Sequence, residues 1–327
     1  MERIKLFTHT DLDGISCAIL AKIGFGDDVS VEYCGYDNVN EKVKAFFDAG
    51  LDHNYYRVYI TDISISEELA EEIDKHGYGN WCLLDHHATA LGLNKFGWCY
   101  VEIESDGLMS CGTWMFYKEL DMDDWFVDLS YEEMQRLYDF VKIVRAYDTW
   151  RWKELGDGGF ICKKINDLFY MLGRDEFIDW INKKLFSHNN DTHIELADKD
   201  LEMLDNRQKS IDRYIEKKDE QLVTFLDKFG HLCGLVFAEK YVSELGNRLS
   251  EMHPELEYIA MIDMAAKKVS YRTVHNDIDL GGEIAHAYGG GGHAKAAGST
   301  FGEDVWFGVF GCLFGGVPVE DVEVVED

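Results

Sequence analysis

The chain has 327 residues, 46% of them hydrophobic and 13% aromatic, which is too much for one small core, enough for two ordinary domains, and excludes a disordered chain. Its 62 acidic against 32 basic residues give a formal charge of −30, which argues against gripping a long polyanion, because long nucleic acids are held largely by neutralising phosphates. No apolar run approaches the ~20 residues of a membrane-spanning helix, and the opening MERIKLFTHTDLDG lacks the basic start and apolar stretch of a signal peptide, so the expectation is a cytoplasmic protein without a membrane partner.

In chain order, residues 4–7, 29–36, 57–61 and 81–84 read as buried strands, with helices at about 15–23, 39–49 and 66–76 between them. This alternation predicts an α/β fold with a parallel sheet and helices on both faces, whose ligand crevice lies at the C-terminal strand ends. Residues 130–147 form a helix opened by an S-x-x-E capping box (Ser130, Glu133) and closed by Asp148. A long helix over about 195–222 is read as a connector, followed by strands near 232–238, 257–264 and 268–274 and a helix near 243–252. The domains expected are 1–190, a helical connector 191–226, a smaller α/β domain 227–318 and an acidic tail 319–327. Eight cysteines without a CxxC pair read as reduced, buried thiols.

Three acidic clusters fall at predicted strand ends. His9, Asp11 and Asp13 make H-x-D-x-D after the first strand, and an extended backbone would turn all three the same way. Oxygen and imidazole donors of this kind suit Mn²⁺, Mg²⁺, Zn²⁺ or Co²⁺. Asp62 follows the third strand; a helix cap would explain it, but Ser64 and Glu67 already offer a capping box for the next helix. Asp85, His86 and His87 follow the fourth, and an aspartate beside two histidines can orient an imidazole. Farther on, Gly289 to Gly292 leave backbone N–H groups open to an anion, with His293 as a further donor. Ser110, Thr113, Trp150 and Trp152 are weaker candidates, the tryptophans reading as core.

HTDLDG, the strand-end Asp62, LLDHHAT and Asp148 together resemble the ordered motifs of DHH phosphoesterases, and GGGGHAKAAGS resembles the GGGH signature of their DHHA1 subfamily, which includes oligoribonucleases and RecJ-like proteins. The resemblance implies a catalytic DHH domain linked to a DHHA1 substrate-binding domain, with the site in a cleft between them. It further implies two divalent cations, Mn²⁺ first with Mg²⁺ or Co²⁺ as alternatives. His9 and Asp11 would hold one cation, Asp13, His86 and Asp148 the other, and Asp62 would bridge them. His87 would act at the scissile phosphate with Asp85 behind it, while Arg272, Gly290, Gly291, Gly292 and His293 would bind substrate.

The acidic exterior favours short oligonucleotides or dinucleotides over long duplexes. A single-strand exonuclease, a phosphatase acting on adenosine 3′,5′-bisphosphate and a catalytically silent nucleotide-binding scaffold are the competing readings, and a homodimer is left open. The scaffold reading fares poorly, because every ligand position is filled.

Overall fold

The structure is a computed structural model, and it describes residues 3–76, 79–187 and 191–314. The expected acidic tail, 319–327, lies outside the described residues. The chain divides into two compact units, Met1–Leu204 and Asp205–Asp327.

In the first unit, β1 (Ile4–Thr8), β2 (Val29–Tyr33), β3 (Arg57–Thr61), β4 (Trp81–Asp85) and β5 (Cys99–Val101) form one parallel sheet in the order β2-β1-β3-β4-β5. Nearly every residue of β1, β3 and β4 is buried, as continuous apolar runs require when helices cover both sheet faces. α1 (Leu12–Phe25) packs on one face, and α2 (Val39–Asp48) and α3 (Glu67–His76) pack on the other. A short hairpin, β6 (Glu104–Ser105) and β7 (Leu108–Met109), precedes α4 (Gly112–Met122). Then come α5 (Tyr131–Asp148), α6 (Phe160–Leu172) and α7 (Arg174–Leu185), which join α1 and α4 in one large core. The capping box of α5 forms as the sequence predicts, with Ser130 and Glu133 bonding each other's backbone N–H.

The strand order places the topological switch between β1 and β3, because the chain leaves β1 outward to β2 and returns across it to β3. Adjacent loops diverge there and leave a crevice above the strand ends, the ordinary place for a ligand in such a sheet.

The long helix predicted over 195–222 is α8, Asp198–Asp219. It stops short because residues 223–226, which the expected connector includes, become a strand, β8 (Val223–Leu226). β9 (Leu232–Phe237), α9 (Val242–Met252) and β10 (Tyr258–Asp263) follow, then β11 (Lys268–Arg272), β12 (Gly291–His293), β13 (Ala296–Thr300) and α10 (Glu303–Phe314). The six strands make a mixed sheet in the order β12-β13-β11-β10-β9-β8, parallel only between β9 and β10. Leu245 and Leu249 of α9, with Ile211 and Ile215 of α8, cover one face. The helical turn Leu280–Ala285 covers part of the other.

All eight cysteines are free thiols; seven are buried and Cys312 is exposed. No helix among the described residues is long and apolar enough to cross a membrane.

Candidate metal centre

The expectation that His9, Asp11 and Asp13 converge along an extended strand does not hold. The strand ends at Thr8; Asp11 caps α1, accepting from the Gly14 N–H at 3.0 Å, and Asp13 lies inside the first helical turn. The chain tightens into a helix instead, which sends His9 and Asp11 to one donor group and Asp13 to another, and its first carboxylates meet the positive end of the helix dipole.

Asp13 is buried and held by the start of α4, accepting from Gly112 N at 2.6 Å and Thr113 N at 2.8 Å. Gly112 is required there, since a Cβ would come within 2.5 Å of the Asp62 Cβ. Thr113 also donates its hydroxyl to the Asp13 carbonyl, at 2.8 Å. It is therefore a positioning group, while Ser110 is buried with its hydroxyl unpaired.

Asp62 stands at the end of β3 with φ of 59°, the left-handed region, which aspartate tolerates better than most residues but at some cost. It is 1% exposed. The cap expected from Ser64 is instead supplied by Ser66, whose Oγ accepts from Leu69 N at 3.3 Å. The Ser64 hydroxyl donates to Asp85 Oδ2 in a short hydrogen bond. Asp85 Oδ1 receives the His87 Nδ1 at 2.7 Å and the His86 backbone N–H at 2.8 Å. A carboxylate can only accept, so Nδ1 of His87 carries the proton and Nε2 faces outward.

Three groups of donors result, and two of them hold the predicted ligands. His9, Asp11 and Asp62 form one of these and Asp13, His86 and Asp148 the other, while the third joins Asp62, Asp85, His86 and His87, each with one ligand atom per residue within 4.8 Å of the rest. His86 Nε2 lies 3.2 Å from Asp62 Oδ1, 3.5 Å from Asp148 Oδ2 and 3.7 Å from Asp13 Oδ2, so Asp62 adjoins both groups. His9 Nδ1 is 3.0 Å from Asp11 Oδ2 and 3.8 Å from Asp62 Oδ2. Yet Asp62 Oδ2 is buried without a hydrogen bond, while His9 Nδ1 has the Asp11 carboxylate as its nearest partner. A buried polar atom left unpaired costs about 1–3 kcal/mol, and this one lies 3.8 Å from His9 Nδ1. A recess of about 90 Å³ lined by Asp11, Asp13 and Asp148 adjoins it.

The electrostatics point the same way. Burial, then the charges of Asp13 and Asp11, push the Asp148 carboxyl up to about 9. Burial and the same two neighbours, followed by Asp148, raise Asp62 well above the carboxylate range. Asp11 also suffers burial, but bonding to His9 prevails and holds it at about 2. Burial lowers the His86 pKa, whereas the Asp85 bond raises that of His87. Asp85 itself stays low despite burial because His87 and Ser64 donate to it. Carboxylates that cannot all ionise alone can do so around cations, and the oxygen–imidazole donor set suits Mn²⁺, Mg²⁺, Zn²⁺ or Co²⁺.

Tyr36 is a site residue that the sequence does not announce. Its ring lies 4.8 Å from that of His9 and its hydroxyl 3.2 Å from His87 Nε2, although 62% of the residue is exposed. Beside it, a polar recess of about 340 Å³ is lined by Tyr36, Asn40, Ser64, Ser66, His87 and Thr89. The only sequence hint is an aromatic at the end of a predicted strand that in fact stops at Tyr33. Trp150 is 64% exposed and so is not core, while Trp152 packs against the core.

The remaining predicted residues belong to the second unit. Arg272 ends β11 and donates to Tyr271 O at 2.8 Å and Ser243 Oγ at 3.1 Å. His293 is exposed at the end of β12. Gly290 and Gly292 are small chiefly for packing, since Cβ atoms there would meet Gly298 O at 2.1 Å and Ala297 Cα at 2.6 Å. Gly291 has open space around it.

Strand-end aspartates gathered at a switch point and a DHH triplet braced by a buried carboxylate are the marks of the DHH phosphoesterases, and the chain belongs to that family. It is 38% identical over 306 residues to oligoribonuclease NrnB of Bacillus subtilis (strain 168), spanning 92% of this chain and 73% of that protein. No protein-family model matches it. Its fold is like that of the exonuclease RecJ bound to manganese, with a TM-score of 0.56 at 16% identity over 98% of this chain and 92% of that one. It is also like the DHH domain of a member of a family of ribosomal proteins, with a TM-score of 0.55 at 13% identity over 97% and 88%.

Proposed function

We propose that the chain hydrolyses phosphodiester bonds of short oligonucleotides or dinucleotides to nucleoside monophosphates, using two divalent cations, with Mn²⁺ first. The observation that carries this reading is the pair of donor groups on either side of Asp62, whose unpaired buried oxygen lies 3.8 Å from His9 Nδ1. His9 and Asp11 would hold one cation, Asp13, His86 and Asp148 the other, and Asp62 both. When bound, such a pair supplies Lewis acidity and a water acidified for in-line attack.

The chain's own groups do the rest. Gly112 N and Thr113 N fix Asp13, so its carboxylate keeps one orientation. Asp85 holds Nδ1 of His87 and leaves Nε2 facing outward, where a charged imidazole can meet a phosphate oxygen or return a proton to the leaving oxygen. Ser64 in turn holds Asp85. The polar recess beside His87 can receive a sugar or base. Arg272 and His293 are the proposed substrate contacts of the second unit.

Short substrates are favoured on two grounds. The net charge of −30 opposes a long polyanion, and the 38% identical relative is named an oligoribonuclease. The test is hydrolysis, with Mn²⁺, of matched 5′-labelled RNAs from dinucleotide to about twenty-mer. Preferential cleavage of the shortest substrates supports the proposal. Processive degradation of the longest would move it to a single-strand exonuclease, and turnover of adenosine 3′,5′-bisphosphate alone would move it to a nucleotide phosphatase.

A further inference from the structure

On the far side of α5 from the metal centre lies a larger cavity, of about 690 Å³, to which no step above gives a role. Ligand pockets for small molecules commonly span about 300–1,000 Å³, with mostly apolar walls and a few placed polar groups. This one has that character. Trp114 and Tyr138 supply aromatic walls, their ring centroids 6.2 Å apart, and Ile161 and Leu196 supply aliphatic ones.

Its charge is opposite to that of the molecule. In a chain of net charge −30, Lys142, Arg145 and Arg151 line the cavity against only Asp139 and Glu195. Asp139 is already engaged, accepting from Ile194 N at 2.9 Å and lying 3.8 Å from Lys142. Arg145 is 6% exposed and held over the Trp114 ring, 4.4 Å from its centroid. It is bonded to the carbonyls of Ser105, Leu108 and Met109 and makes no ion pair among the described residues. Arg151 is exposed, also without an ion pair among the described residues. The Trp114 indole N–H, in a residue 9% exposed, has no acceptor. A cavity with aromatic walls, a buried cation lacking an anion and a buried donor lacking an acceptor fits a planar aromatic anion.

Its location gives such a ligand a consequence. Val144, Tyr147 and Asp148 face the recess beside the metal centre, whereas Lys142, Ala146 and Thr149 face the cavity. One helix end is therefore shared by two sites on opposite faces.

We propose that the cavity is a second site, for a nucleoside monophosphate, and that its occupancy is transmitted through the last turn of α5 to Asp148. The choice of occupant rests on the function proposed above, because that reaction releases mononucleotides; the case for an aromatic anion rests on the cavity alone. The base lies between the apolar walls, and the phosphate meets Lys142 and Arg151 at the mouth. Coupling is reciprocal, so a mononucleotide that changes cation affinity is itself bound with changed affinity when the cation is present.

The test uses the full chain, stripped of metal with EDTA, and AMP as the probe. Calorimetry is expected to give one AMP per chain, with affinity lowered roughly tenfold or more in the double variant Lys142→Glu, Arg151→Glu, whose positions are exposed and compatible with folding. Photolabelling with 8-azido-AMP is expected to mark peptides from 134 to 162 in the wild type and not in the double variant. AMP is also expected to shift the Mn²⁺ midpoint of the wild type but not of the double variant. Absence of AMP binding, or binding that ignores the double substitution and labels the glycine-rich segment, overturns the site. An unmoved Mn²⁺ midpoint overturns the coupling. A chain that binds AMP here but cleaves no oligonucleotide would refute the proposed function and leave the cavity assignment standing, and the reverse result would separate them the other way.

Discussion

The two units treat their polar residues in opposite ways. In the first, six acidic and imidazole donors are gathered in or near the interior, buried and crowded enough to drive one carboxyl up to about 9, with one buried carboxylate oxygen unpaired. In the second, Arg272 is satisfied by local acceptors and His293 stands in solvent. Folding alone does not favour the first arrangement, because unpaired buried charge destabilises. Its persistence marks a site shaped for something that neutralises it. The second arrangement breaks no such rule, and its residues would look the same as parts of an ordinary sheet. Chemistry is therefore legible in this molecule wherever the usual cost of burial is exceeded, and recognition is not.

The contrast breaks most sharply at Asp62. Asp62→Ala removes the side chain that belongs to one donor group and lies 3.2 Å from His86 of the other, and kcat/KM is expected to fall by more than about a thousandfold, roughly 4 kcal/mol of transition-state stabilisation. Circular dichroism should stay native. Retention of even a few per cent of activity would remove Asp62 from the bridging position. Gly112→Ala comes next, because its Cβ would press on Asp62 at 2.5 Å while Gly112 N holds Asp13. The expected loss is about a hundredfold, with a matching loss of cation affinity. Wild-type metal binding in that variant would show that the α4 start can yield. Ser64→Ala, which frees Asp85, should cost about 10–100-fold, the usual range for a group supporting a ligand from behind. It should also raise the pH at which His87 loses its proton, since an Asp85 without the Ser64 donor is a stronger acceptor for the imidazolium.

Much of this site can be read from the residues because each cluster directly follows an apolar run, and a parallel sheet aligns those ends. Relations across the fold are what the residues do not announce. Ser64 matches an S-x-x-E cap, but Ser66 forms the cap and the Ser64 hydroxyl reaches a residue 21 positions away. Tyr36 approaches His87 over 51 positions, with no periodicity to mark it. The strand Val223–Leu226 is hidden because it is exposed along its length and follows a charged helix, so no buried alternation betrays it. α6 and α7 are equally silent, as they pack on a core formed by earlier helices rather than on the sheet.

The crowding also predicts a pH dependence of stability. Asp62 and Asp148 are raised in the folded, metal-free chain, so between about pH 4 and 9 the folded state binds more protons than the unfolded one. Stability conferred by the protonated carboxyls is therefore lost as pH rises through that window. Thermal melts should fall by a few degrees from pH about 6 to about 8.5, since about 1 kcal/mol moves Tm by roughly 2–4 °C in a domain of this size. Saturating Mn²⁺ should abolish the fall, and Asp148→Asn should flatten it in the metal-free chain. An equal slope in that variant would assign the effect to the general negative charge.

The smallest expected effect lies in the second unit and sharpens the comparison from the other side. Arg272→Ala and His293→Ala should each raise KM several-fold, up to about tenfold, with kcat little changed, because both would bind substrate and transition state alike. Mn²⁺ affinity should match the wild type in both. Arg272 also packs its stem where a Cβ on Gly246 would collide with it, so Arg272→Lys serves as the control, keeping charge and stem but losing the fork that grips a phosphate from two sides. If Arg272→Lys behaves as the wild type while Arg272→Ala is impaired, the residue acts through charge or packing rather than through paired hydrogen bonds. If neither changes KM, the phosphate contact in the second unit must come from elsewhere, and the exposed backbone N–H groups around Gly291 become the next place to look.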